Sequence, residues 1–280
     1  MIALCSAALV GFAANSLLCR AALGTGAIDA ASFTAIRIGS GAIVLGILAA
    51  FAKKPLFDDG HRAGSWVSGL ALCAYAAAFS FAYLWLTTAT GALILFACVQ
   101  ATMIGWSIVR GERPRPLEWL GLAIAAAGLV ALSLPGLAAP DPIAAALMAI
   151  AGASWGIYTL RGRGAKRPLA ATADNFLRAV PFAGLTLIAI PIAGGHVTTE
   201  GAILAATSGS FASGVGYSLW YAVLPQLAAT RAAILQLLVP VLAAAGGVLI
   251  LGEPMTTRLA GATAAIIGGI ALALLARRRA

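Results

Sequence analysis

Gly152-Ala153-Ser154-Trp155-Gly156 fits the G-x-S-x-G pattern that lifts a nucleophilic serine on a strand-to-helix turn. That chemistry needs a general base within reach. The two histidines, His61 and His196, both lie outside the long apolar runs of the chain, in loops expected on opposite sides. The same residues read better as a small-xxx-small stripe from Gly152 to Gly156, along which two helix backbones can approach closely. Cys5, Cys19, Cys73 and Cys98 lie in or beside apolar runs without C-x-x-C spacing, so they read as packing residues. No metal, cofactor or catalytic constellation is expected.

The residues offer binding chemistry instead. Asn15, with Ser16 beside it, Gln100 and Gln236 stand inside apolar runs, where an amide must find a partner on another helix or on a ligand. Tyr75, Phe79 and Tyr83 recur at i, i+4 and i+8 and so share one helical face. Tyr217, Trp220 and Tyr221 form a second face, and Trp155 with Tyr158 a third. For a single ring the alternative is a lipid-facing anchor. Together they suit an aromatic-walled cavity that takes an apolar side chain while amides address its polar end. The cavity is expected to be neutral, because a buried counter-charge would hold one substrate tightly and release it slowly.

The elements that must position these residues are membrane helices. Of the 280 residues, 61% are hydrophobic and 10% charged, with mean hydropathy +0.98. Soluble domains carry about 25% charge, so too little polar surface remains to cover a water-facing globule. A helix crosses the bilayer with about 20 apolar residues, and ten such spans fit at 2–19, 32–52, 65–87, 90–110, 117–134, 142–160, 172–193, 202–224, 230–251 and 258–276. The first run lacks a charged n-region and contains Asn15, so it reads as a helix and not as a secretion signal. With the N-terminus cytoplasmic, 14 of the 18 basic residues fall in cytoplasmic loops or tails, and only Arg20 and Arg258 fall outside. The net charge of +9 is thus explained by the positive-inside rule and not by nucleic acid.

Arg37 and Arg178 lie within spans, where a central arginine costs about 2.5–3.5 kcal/mol. Each is about two turns from a helix end, so its stem can snorkel to the interface. Asp174, at i−4 from Arg178, is its expected partner, whereas Phe33 occupies that position relative to Arg37. Both arginines are open to a structural reading or to a role in orienting a substrate carboxylate or gating an opening. Glu112 and Glu253, after glycines at helix ends, read as capping or loop charges. With Asp174 the one acid well inside a span, strict proton coupling is not expected.

The chain repeats itself. Gly11–Arg20 aligns with Gly152–Arg161 at an offset of 141, as do Arg37 with Arg178 and Gly111-Glu112 with Gly252-Glu253. At one residue less, Gly121 and Gly128 match Gly261 and Gly268. Five helices per copy force the second copy to run inverted, an arrangement frequent in secondary transporters. On these residues each half, 1–136 and 142–280, resembles an EamA domain of the drug/metabolite transporter superfamily. Pro240, Leu251-Gly252-Glu253-Pro254, Gly261 and Gly268-Gly269 carry the resemblance in the second half. In the first half Gln100 stands where the proline would be.

Within the superfamily the chain looks most similar to the YddG-type amino-acid exporters. The resemblance implies an all-α, ten-helix exporter of amino acids of broad type, aromatic ones among them, in the bacterial inner membrane. It implies alternating access, with the first, third, fourth, sixth, eighth and ninth helices around the cavity. Its partners would be the amino-acid substrate and lipid; the sequence sets no oligomeric state. A drug, sugar or nucleobase carrier is the nearest rival. An intramembrane enzyme lacks a catalytic constellation, and a scaffold would need longer loops. The basic bias predicts cytoplasmic loops at 53–64, 111–116 and 161–171. Cysteines introduced near 60 and 165 should resist an impermeant thiol reagent added to intact cells, and their labelling from outside would invert the topology.

Overall fold

The computed structural model describes residues 2–53, 56–58, 61–111, 114–133, 139–163, 165–189, 195–223 and 235–278. Helices start where short polar side chains cap them. Asp29 accepts from the Ser32 amide, Ser65 from Ser68, Thr87 from Thr90, Asp141 from Ala144 and Thr198 from Gly201. The resulting elements are α1 (Ile2–Gly24), α2 (Ala30–Phe51), α3 (Trp66–Ala82), α4 (Thr88–Val109), α5 (Pro116–Ser133), α6 (Pro142–Gly162) and α7 (Pro168–Thr186). Then α8 (Thr199–Thr207) runs through π-helical Ser208–Val215 into α9 (Gly216–Val223), followed by α10 (Leu238–Leu251) and α11 (Thr257–Arg278). Among the described residues α1, α2, α4, α6 and α11 are long and apolar enough to cross a membrane, and α3, α5 and α10 are shorter apolar helices.

Several boundaries differ from the sequence reading. The third span, expected to reach 87, ends at Ala82 because Tyr83 to Leu86 form a turn and Thr87 already caps α4. The seventh starts four residues early, with Pro168 in its first turn. The start of the ninth span falls outside the described residues, and its helix is seen from Leu238. The chain is also not wholly helical, since Phe57–Asp58 (β1) and His61–Arg62 (β2) form a two-residue antiparallel pair.

The molecule is apolar on the outside. Ile43 and Leu249 are 65% and 83% exposed, which water would penalise and lipid does not. The six tryptophans divide sharply. Trp66, Trp85, Trp106 and Trp119 are exposed and lie near helix ends, the interfacial position, whereas Trp155 and Trp220 are buried.

Helix packing follows an exchange pattern. The first helix packs on α9 and α10 as α6 packs on α3 and α4, while α2–α7, α4–α10 and α5–α11 each join helices at matching positions of the two halves. Gly111 and Gly252, aligned in the sequence, end α4 and α10 with φ of 91° and 65°, a left-handed turn that needs glycine. Loop contacts fall into two sets. Ala27 and Asp29 bond to Thr198 and His196, and Thr88 to Glu253, at one end. Gly64 and Ser65 bond to Asp174 and Asn175, and Arg161 to Ser65 and Ser68, at the other.

A close crossing is that of α5 on α11. A Cβ on Gly121 would lie 2.5 Å from the Gly269 carbonyl, and one on Gly269 would lie 2.5 Å from the Gly121 carbonyl. Gly121→Val should therefore lower stability by about 1–3 kcal/mol. Gly268→Ala, with open space around its Cβ, should be neutral or slightly stabilising. Thermal unfolding in detergent separates the two, and an unchanged Tm for Gly121→Val would contradict the crossing.

Candidate functional site

The eighth helical run gives the centre its shape. Its π-helical turns carry Ser208 and Ser213, and π-helical segments are frequent at functional sites. Gly209 lets them approach α2, because a Cβ there would collide with the Arg37 carbonyl and the Ser40 hydroxyl. Ser213 thereby reaches two buried side chains at once. Its hydroxyl lies 3.3 Å from Asn15 Nδ2 and 3.4 Å from Arg37 Nε. The Ser208 hydroxyl donates to Asn15 Oδ1. Asn15 thus finds the partners that a buried amide requires.

Arg37 overturns one expectation. Its side chain does not snorkel; it is 1% exposed and turns inward. One terminal nitrogen donates to the Tyr75 hydroxyl at 2.9 Å, and the guanidinium carbon lies 5.1 Å from the Tyr75 ring centre and 4.9 Å from that of Phe79. These are cation–π distances. The other terminal nitrogen has no hydrogen-bond partner, and among the described residues no carboxylate pairs with Arg37. A buried cation therefore stands behind a cavity whose lining residues are themselves neutral.

Around this charge the aromatics interlock. Trp155 is the hub, with its ring 4.9 Å from Tyr217, 5.0 Å from Tyr75 and 5.4 Å from Tyr158. Asn15, Tyr75, Phe79, Trp155 and Tyr217 border a cavity of about 20 Å³ together with Phe12, Ser16, Leu95 and Phe96. One water needs about 10–15 Å³, so the space admits a water and no amino-acid side chain. Five helices, α1, α3, α4, α6 and α9, supply its wall.

The remaining sequence-selected residues sit farther out. Trp220 is buried on Phe12, and Gln100 is buried on α4 with its amide nitrogen unpaired. Tyr158 is stacked on Trp155. Tyr83 lies beyond Phe79, its hydroxyl donating to the Thr88 carbonyl at 3.3 Å. Half-buried Tyr221 faces the end of α6 at Gly162, and Gln236 lies just before α10, off the cavity wall. Asp174 and Arg178 do pair, at 3.2 Å, but at a loop end, where Asp174 also accepts from the Gly64 amide and Arg178 covers the Trp66 ring. Sequence reasoning missed Phe12, Phe176, Ser208 and Ser213. Phe12 stands one turn before Asn15, and the small-residue run Ser208–Gly216 was the available mark of the close approach.

Toward the other loop end a clamp closes the helices. Both Glu253 carboxylate oxygens accept from the Thr88 amide, at 2.9 and 2.8 Å, so the glutamate caps α4 from the far half of the chain. Arg20 Nε stands 3.5 Å from that carboxylate, and Arg20 also donates to the Tyr83 and Leu84 carbonyls. Glu253 is a cap as expected of it, but of a helix distant in sequence. Its counterpart Glu112 lies outside the described residues. Beside the clamp opens a recess of about 300 Å³ between Thr87, Thr90, Asp141, Pro254 and Thr256. It is larger than the central cavity but lies at a loop end, away from the buried aromatic cluster and Arg37.

This architecture defines a multi-pass helical membrane protein. Residues 142–275 match the EamA-like transporter family. An uncharacterized protein of Pseudomonas aeruginosa is 50% identical over 272 residues, covering 96% of this chain and 93% of the relative. The chain belongs to the EamA-like transporter family. Members of that family are transporters and not enzymes, so a small-molecule substrate and the lipid bilayer are its partners. A solved structure described as "Crystal structure of protein" shares the fold, with TM-score 0.65 and 22% identity over 96% of this chain and 98% of that one.

The clamp gives a direct stability test. Glu253→Ala removes a helix cap and the partner of Arg20, and should cost about 1–2 kcal/mol. Glu200→Ala, at an exposed first-turn position, should cost less than about 0.5 kcal/mol. Equal melting temperatures for the two variants in detergent would contradict the clamp.

Proposed function

We propose that this protein exports amino acids of broad side-chain type, aromatic ones among them, across the bacterial inner membrane by alternating access. Ten spans in two inverted repeats, 1–136 and 142–280, would carry it, with both termini in the cytoplasm. The exchange pattern of helix packing and the matched left-handed turns at Gly111 and Gly252 support that symmetry. The 14-to-2 basic bias supports the orientation and puts the Arg20–Glu253 clamp on the extracytoplasmic side.

One observation carries the substrate class. The centre combines aromatic walls with fixed polar groups from Asn15, Ser213 and Arg37 beside a space now too small for cargo. Such a site exchanges the water around a polar head group for hydrogen bonds of about 0.5–1.5 kcal/mol each, while rings receive the side chain. The contracted cavity would be the resting state, and transport would require Trp155, Tyr217 and their neighbours to part. With Asp174 held by the Gly64 amide and Arg178 at a loop end, the reading includes no strictly coupled proton.

Counterflow in liposomes of purified protein tests the proposal. Labelled phenylalanine, leucine and alanine should each exchange against unlabelled amino acid. Trp155→Ala and Trp220→Ala should shift the phenylalanine-to-alanine flux ratio about 3–10-fold, the equivalent of about 0.7–1.4 kcal/mol of aromatic contact. Parental ratios in both variants would make these rings mere packing, and no counterflow by the parent protein for any amino acid would reject amino-acid export.

A further inference from the structure

We infer that the central site grips its cargo by a carboxylate, with Arg37 as the anchor, and has no fitting for an ammonium group. The cargo class is then organic carboxylates with an apolar body, including 2-oxo acids and N-acylated amino acids. The inference deepens the amino-acid reading above and rests on it for the location of the site.

The argument starts from a contrast inside the chain. Arg20, near the end of α1, and Arg178, midway along α7, each stand beside a carboxylate, Glu253 at 3.5 Å and Asp174 at 3.2 Å. Arg37 is the deepest of the three at 1% exposure, where an unpaired charge is most costly. Yet among the described residues it meets only neutral acceptors, the Tyr75 and Ser213 hydroxyls. A guanidinium has five N–H donors in a planar fork shaped to hold a carboxylate on two of them. Here one terminal nitrogen is wholly unused. An arginine serving only as a strut would have its donors filled, as a buried polar network must to stabilise a fold.

Arg37 lies next to the cavity wall through its hydrogen-bond partners. Tyr75 touches Arg37 with its hydroxyl and borders the cavity, and Asn15, which borders it too, shares Ser213 with Arg37. The charge therefore sits one side chain behind the wall. When the rings part, an entering carboxylate meets the guanidinium where the Tyr75 hydroxyl now accepts from it. Nothing matches on the opposite sign. The cavity wall contains no acid, and the two rings nearest the charge, Tyr75 and Phe79, already face a cation. An ammonium would find ring faces and the neutral oxygens of Asn15 and Ser16, with no counter-charge and beside a repelling guanidinium.

Competition in the phenylalanine counterflow assay decides the matter. Phenylpyruvate and N-acetylphenylalanine should inhibit within about threefold of phenylalanine, whereas phenethylamine and phenylalaninamide should be at least about tenfold weaker. Arg37→Lys should keep that order at reduced affinity, and Arg37→Gln should abolish it. If Arg37→Gln does not fold, the order measured on the parent protein stands as the test. Inhibition by phenethylamine as strong as by phenylpyruvate would overturn the carboxylate anchor while leaving amino-acid export intact. Phenyl phosphate acting in place of the carboxylates would overturn it as well. Should no amino acid exchange, the export reading falls on its own, and thermal stabilisation of the purified protein still decides the anchor. A rise in Tm with phenylpyruvate and none with phenethylamine upholds it, and any other result overturns it.

Discussion

A guanidinium held among aromatic rings in a membrane interior governs the centre of this protein. Bulk water does not reach a buried side chain there, so the donors of Arg37 call for partners from protein or cargo. That requirement explains the local build. The π-helical turns swing Ser213 toward Arg37, Gly209 gives them room against α2, and Asn15 is fixed by the same serine and by Ser208. Tyr75 and Phe79 turn their rings to the charge and pass the arrangement on to Trp155 and Tyr217. Removing the charge would take one partner each from the Tyr75 and Ser213 hydroxyls.

The two halves use matching residues for different ends. Arg37 and Arg178 occupy equivalent sequence positions, yet one is buried in the centre and the other pairs with Asp174 near a loop. The difference traces to single residues four positions earlier, Phe33 and Asp174. An acid one turn back captures its arginine locally, whereas a phenylalanine there leaves it to find neutral partners deeper in the bundle. Arg20 and Arg161 diverge in the same way, one on Glu253 and the other on the Ser65 and Ser68 hydroxyls. Near-symmetric scaffolds with unequal end contacts have reason to prefer one end closed.

How much of this was legible depends on the kind of signal. The helical character and approximate place of the described spans were readable because apolar runs of membrane length leave few alternatives. Tyr75, Phe79, Trp155 and Tyr217 declared themselves as aromatic faces, and Asn15 as a polar residue in an apolar run. The direction Arg37 takes was not readable, because it depends on a close approach at Gly209 across more than 170 residues of chain, and a glycine in a helix does not announce which neighbour it admits. The π-helical turns were hidden for the same reason, since Ser208–Gly216 reads as a run of small residues whatever its hydrogen-bond pattern. Tyr221 and Gln236, which lie off the wall of the small cavity, show the opposite case. Spacing put them on polar or aromatic faces, but a face is useful only toward the helices that pack on it.

The magnitudes allow the centre to drive the clamp. The Arg20–Glu253 contact is partly exposed, with side chains 24% and 11% accessible, so its ion pair is worth about 1 kcal/mol or less. The cap of Glu253 on the Thr88 amide adds about 1 kcal/mol. A charged hydrogen bond from Arg37 to an incoming carboxylate is worth about 1.5–3 kcal/mol. The two sums are alike, which is the condition for a carrier. A clamp much stronger than the central contact would never open for cargo, and one much weaker would leave the path open without it. A ligand shifts a conformational equilibrium only by its differential affinity for the two states. Because Arg37 now holds only neutral partners, a carboxylate that replaces the Tyr75 hydroxyl gains most of its binding energy in the state where the rings have parted. That state need not keep Phe79 against Tyr83, nor Tyr83 against Thr88, the chain of contacts that runs from the central charge to the clamped end of α4.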